Sequence, residues 1–217
     1  MQKIMQYFIP LIIALLFISN AKGEFAEGVH YEKLEPPLKE VNDSSKLEIV
    51  ELFWYGCPHC FEFEPYLKRW VNQNDKKVNL TQVPAVFSKN WIPHAKAFYS
   101  AQNVGYFDTL HENLFKAIHV DRKKVYTKSK LIKFASDIGI PRNEFEKSFS
   151  SFKTDLQVKK AMAITKSSGI RGVPAIIVGG EYASSPRMAG SYKKLIEVID
   201  YLAKKNIKNN PNRKSKL

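Results

Sequence analysis

Two cysteines stand three positions apart, Cys57 and Cys60, and the 217-residue chain has no others. Joined, they would close a loop too short to restrain an unfolded chain much, so a disulfide-stapled scaffold is excluded. The core must come from apolar burial, and the chain is long enough to supply it. What the pair can do depends on its setting. Lys46–Tyr55 (KLEIVELFWY) is rich in β-branched and aromatic residues and predicts a central strand buried on both faces. Gly56 ends it. Pro58 suits a first helical turn, and Phe61, Phe63, Tyr66, Leu67 and Trp70 supply an apolar face, with Pro65 expected to kink the helix. The cysteines therefore sit at the seam between a buried strand and a helix start.

That setting narrows the chemistry of Cys57-Pro58-His59-Cys60. Structural zinc needs four ligands, and His30, His94, His111 and His119 show no matching spacing. Haem attachment needs histidine directly after the second cysteine, where Phe61 stands. A dithiol/disulfide redox couple remains, with no metal and no cofactor beyond the Cys57–Cys60 disulfide itself. At the helix start, unpaired backbone N–H groups and the positive end of the dipole favour a Cys57 thiolate, and a protonated His59 would add to them. Cys60 lies about one turn deeper. Cys57 is thus the expected attacking and leaving sulfur, and Cys60 the resolving thiol. Each pKa unit below ambient pH stabilises the dithiol by about 1.36 kcal/mol, or roughly 30 mV, so a low Cys57 pKa predicts donation of the disulfide.

The rest of the chain frames this site. Residues 1–23 read as a cleavable signal: Lys3 gives a positive start, Tyr7–Ile18 is apolar, and Ser19, Ala21 and Gly23 are small. The apolar run falls short of the roughly 20 residues that span a bilayer. Export predicts an oxidising compartment, the periplasm on the resemblance given below. A formal net charge of +13 attracts anionic partners without choosing among them. Ordinary apolar content excludes a disordered chain and a multi-span membrane protein. A first α/β part, thioredoxin-like on the resemblance given below, is expected over 24–87, with an extended entry near Val29–Leu34 and a second strand at Val78–Val83. Helical periodicity then fills 88–152. A second part follows over 153–204, with a helix at Thr154–Ser168, short strands at Val173–Val178 and near Tyr182, and a last helix capped by Ser191. The class is α/β, with a helical domain inserted between two halves of one unit. Residues 205–217 are expected to be a basic, flexible tail; a solvated terminus is its plainer reading, contact with an anionic membrane surface the sharper one. Nucleic acid is not expected as a partner, because no aromatic platform accompanies the charge.

The run Glu51–Glu64 (ELFWYGCPHCFEFE), together with Arg171-Gly172-Val173-Pro174, closely resembles the DsbA family of bacterial periplasmic thiol oxidases. The resemblance implies a thioredoxin fold, transfer of disulfides to newly exported, folding proteins, and reoxidation by a DsbB-like membrane quinone reductase. It matches Cys57, Pro58, His59 and Cys60 to the active-site motif, Pro174 to a cis-proline, and Val173 to the residue whose backbone pairs with substrate. Glu51 matches a buried acid beneath the site, able to relay a proton to or from Cys60. Some members pair that acid with a lysine, at the position that corresponds to Gln82 here. A monomer is expected. The alternatives on the same fold are a disulfide isomerase or reductase; a peptide-binding chaperone with incidental cysteines is the alternative from another class.

Overall fold

The computed structural model describes residues 25–39 and 46–209. Residues 1–23, expected to be a signal, and residues 210–217 of the expected basic tail lie outside these residues. A mixed sheet has the order β1-β5-β4-β2-β3. Its strands are β1 (Glu32–Lys33), β2 (Leu47–Phe53), β3 (Val78–Pro84), β4 (Ala175–Val178) and β5 (Tyr182–Ser184). β2 lies second from the edge, parallel to β3 and antiparallel to β4. All seven of its residues are buried, which explains its apolar character, broken by Glu48 and Glu51. Trp54 and Tyr55, expected in this strand, instead begin the turn into the next helix.

That helix is α1 (Pro58–Gln73), and Pro65 lies inside it without ending it. After β3, a 3₁₀ turn and four helices follow: α2 (Ile92–Asn103), α3 (Phe107–His119), α4 (Lys128–Asp137) and α5 (Arg142–Phe149). α6 (Phe152–Ser167) returns the chain to β4, its first turn capped by Ser151 Oγ accepting from Thr154 N–H. A single-turn helix, α7 (Pro186–Ala189), leads to α8 (Tyr192–Asn209). Ser191 Oγ accepts from Lys194 N–H at 3.1 Å, the cap expected there.

Strand alternation divides the core. Leu47 and Ile49 face α1 and α8, packing with Phe63, Leu67, Leu195, Val198 and Ile199. Val50 and Leu52 face the opposite way, toward Ala161 and Ile164 of α6. A third cluster fills the helical insertion around Phe98, Leu110, Leu114, Phe115 and Phe145, and it reaches Phe53, Tyr55, Cys57 and Cys60. The cysteine pair is therefore held at the junction of sheet and insertion.

The final helix differs from expectation. It continues to Asn209, so residues 205–209 are helical rather than part of a flexible tail. Lys205 explains why: its Nζ donates to Tyr31 Oη at 2.9 Å and stands over the rings of Tyr31 and Tyr182. Those contacts fix another turn of helix against Tyr31, just before β1, and against β5.

Candidate active site

Cys57 is the N-cap residue of α1, with extended backbone (φ −91°, ψ 116°), and its carbonyl accepts from the N–H groups of Cys60 and Phe61. Pro58 occupies the first helical turn, where a missing N–H costs nothing. Both cysteines are free thiols and both are buried, Cys60 fully. His59 is exposed beside them.

The Val173–Pro174 bond is cis, as is Glu35–Pro36, for which the sequence carried no signal. The Cys57 thiol donates to the Val173 carbonyl at 3.4 Å. The loop before β4 is thereby brought against the helix start from 116 positions away in the chain. A groove of about 1010 Å³ opens here, lined by His59, Val173 and Pro174, by Arg171, and by Pro186 and Arg187 of α7.

The two sulfurs are electrostatically unlike. A hydrogen bond from the Cys60 thiol, with further ones from the backbone of Cys60 and His59 and from the His59 ring, holds the Cys57 thiol down to about 6 against the opposing effect of burial. Burial pushes the Cys60 thiol far up, and the neighbouring Cys57 and Glu51 push it further. At neutral pH Cys57 is mostly thiolate and Cys60 is a thiol that can donate to it.

Glu51 lies fully buried on β2, in register with Gln82 of β3. Burial, reinforced by Glu64, raises its carboxyl pKa well above the ordinary range, while Gln82 partly opposes the rise. Gln82 Nε2 donates to Glu51 Oε2 at 2.8 Å, and Glu51 Oε1 has no hydrogen-bond partner among the described residues. The same Nε2 lies 3.5 Å from Glu64 Oε2. Glu64 Oε1 meets His111 Nε2 at 3.1 Å, and His111 Nδ1 meets Tyr55 Oη at 2.9 Å. A polar chain thus runs Glu51–Gln82–Glu64–His111–Tyr55, from beneath the cysteines to the partly exposed Glu64 and on into the insertion. Glu64 and His111 were not among the site residues expected from sequence. The available signal was a histidine on the buried face of α3, one turn from Phe107 and Phe115.

Among the aromatics near the site, Phe53, Tyr55 and Phe63 are core. Trp54 stacks on Trp91 at 4.1 Å with ring planes 2° apart. Phe61 stacks on His119, whose Nε2 is 2.7 Å from the Tyr55 carbonyl, tying α3 to the turn before Cys57.

A cysteine pair capping the helix after a buried strand, faced by a cis-proline loop, defines a thioredoxin-like dithiol protein. The chain belongs to the DsbA family: the family model described as a DSBA-like thioredoxin domain matches residues 80–194. Thiol:disulfide interchange protein DsbA of Azotobacter vinelandii is 35% identical over 184 residues, covering 85% of this chain and 86% of the relative. The Pseudomonas aeruginosa protein of the same name is 32% identical over 196 residues, covering 90% and 92%. The crystal structure of Pseudomonas aeruginosa DsbA superposes with a TM-score of 0.81 at 31% identity, over 86% of this chain and 97% of that one.

Proposed function

We propose that this chain is a thiol:disulfide oxidoreductase acting as a disulfide donor to exported, folding polypeptides. The observation that carries the reading is the asymmetry of the two sulfurs: the more accessible one ionises near pH 6 and the buried one resists ionisation. In the disulfide form, a substrate thiolate attacks Cys57 Sγ and the Cys57–Cys60 bond breaks. Cys60 leaves as the sulfur that must be protonated; Glu51, a buried carboxyl favoured in its neutral form, gives up that proton and regains one released by the substrate thiols. A second substrate thiolate then attacks the substrate sulfur of the mixed disulfide. Cys57 departs as a stabilised thiolate, and the substrate gains a disulfide. Two electrons pass to the Cys57–Cys60 pair; one proton stays on Cys60 and the other goes to solvent. Val173 presents backbone to the bound peptide, and Pro174 shapes the loop that holds it. His59 stabilises the thiolate.

The Cys57 thiolate alone makes the couple moderately oxidising. A pKa near 6 at pH 7 stabilises the dithiol by about 1.4 kcal/mol over an ordinary thiol, or roughly 30 mV. The reduced protein needs an oxidant to complete the cycle, and a DsbB-like membrane quinone reductase is the partner this reading requires. The protein works as a monomer in the periplasm after its signal is removed.

Equilibration with glutathione buffers tests the direction. We expect a reduction potential clearly less negative than the roughly −270 mV of a dedicated reductant, and a value at that level would overturn the donor assignment.

A further inference from the structure

The groove beside Cys57 has charge that the redox chemistry does not use. Arg171 stands two residues before Val173, and Arg187 lies in α7 on another part of the lining. Both are exposed, and neither has an ion-pair partner among the described residues. Among the described residues, Glu32 is the only carboxylate lining the groove. The remaining lining is largely apolar or small, with Val29, Ile170, Pro174 and Met188 prominent. A polypeptide joined to Cys57 must pass Val173, whose carbonyl already touches the sulfur. Residues of an extended chain advance about 3.3 Å each, so Arg171 falls alongside substrate positions about two residues from the reacting cysteine.

We infer that this groove selects extended substrate segments carrying a carboxylate within about two or three residues of the cysteine, with Arg171 and Arg187 as the residues that read it. The inference deepens the disulfide-donor reading and rests on it. Apolar side chains of the substrate fill the groove, while the two guanidinium groups sort among cysteines by the charge beside them. A guanidinium in a half-enclosed groove suits this role, since it presents a fixed fork to a carboxylate and sheds water more readily than an ammonium group. The net charge, +13 for the full sequence and about +11 once Lys3 and Lys22 leave with the signal, acts in the same direction at long range, by raising the encounter rate with acidic segments.

Three single-cysteine peptides of one sequence test this, with Glu, Gln or Lys two residues to either side of the cysteine. Each is reacted with the oxidised protein, and mixed-disulfide formation is timed by rapid mixing at low and high salt. The Gln peptide is the reference in every protein variant, so the intrinsic thiol reactivity of each peptide cancels when variants are compared. We expect the Glu-to-Lys rate ratio to fall about three- to tenfold in Arg171→Gln/Arg187→Gln, and to shrink with salt in the unaltered protein. Arg187→Glu should lower the ratio further. Lys130→Gln/Lys147→Gln removes the same charge from exposed sites on the helical insertion. It should change the Glu and Lys rates by less than twofold relative to the Gln peptide. A ratio that the arginine variants leave unchanged, or that the lysine variant lowers equally, would overturn the inference. Failure of the Gln peptide to react at Cys57 at all would instead overturn the donor reading beneath it.

Discussion

A single carboxyl, Glu51, shows how function is placed at the expense of stability in this protein. With Glu48 it interrupts a buried, largely apolar strand, and among the described residues one of its oxygens is unpaired while the other accepts a hydrogen bond from Gln82. Its raised pKa favours the neutral acid, so native stability from this group is present at low pH. That stability is lost as pH rises past the unfolded value of about 4.3 toward the native one. Glu51→Gln keeps the shape and the acceptor for Gln82 but cannot ionise. We expect it to be about 1–3 kcal/mol more stable than the parent at pH 7, and nearly equal below pH 4, in urea titrations at each pH. The same variant should slow protonation of Cys60, seen as slower mixed-disulfide formation with a flattened pH profile. A variant less stable at neutral pH would show that Glu51 is paired and ionised instead. His111 and Glu64 continue the polar chain. They escaped sequence reading because each is ordinary on its own element, and only the packing of α3 on α1 makes them neighbours.

Elements were legible to different degrees, and the differences have causes. The helices of the insertion carry apolar periodicity with breakers at Gly105, Gly139 and Pro141, so the 88–152 stretch read as helical is indeed mostly helix. β2 ended early because the turn at Trp54–Gly56 is needed to aim Cys57 at α1, a demand that strand propensity does not register. The cysteine seam and the Val173–Pro174 loop were legible because rare motifs mark them. α8 outran its expected end because its last turns are held by tertiary contacts with Tyr31 and with Tyr182 of β5. Those contacts also involve the β4–β5 turn. Gly179 has φ +59°, and a Cβ there would meet the buried Asn206 of α8. Gly179→Ala combines an unfavourable left-handed backbone with overpacking and should cost about 2–4 kcal/mol in equilibrium unfolding. A loss under about 0.5 kcal/mol would mean that the helix end is not packed as described.

For the whole molecule, redox state and stability are linked through one ionisation. The depressed Cys57 pKa contributes stability to the dithiol form. This is fully present above the unfolded thiol value of about 8.5 and is lost as pH falls through about 6. The disulfide form lacks that group, and closing so short a loop gives it about 2 kcal/mol at any pH. Glu51 titrates in both forms and largely cancels in the comparison. The stability of dithiol minus disulfide should therefore rise by about 2–3 kcal/mol between pH 6 and pH 8.5, read from paired unfolding curves. A difference that stays level over that range would separate redox state from the thiolate.

The ultraviolet thiolate absorbance of the reduced protein, followed from acid to alkaline pH, examines the underlying electrostatics most directly. We predict one thiolate appearing with a midpoint near 6, absent in Cys57→Ala, and no second thiolate from Cys60 up to pH 9. A midpoint at or above about 8, in the range of an ordinary cysteine, would contradict the account.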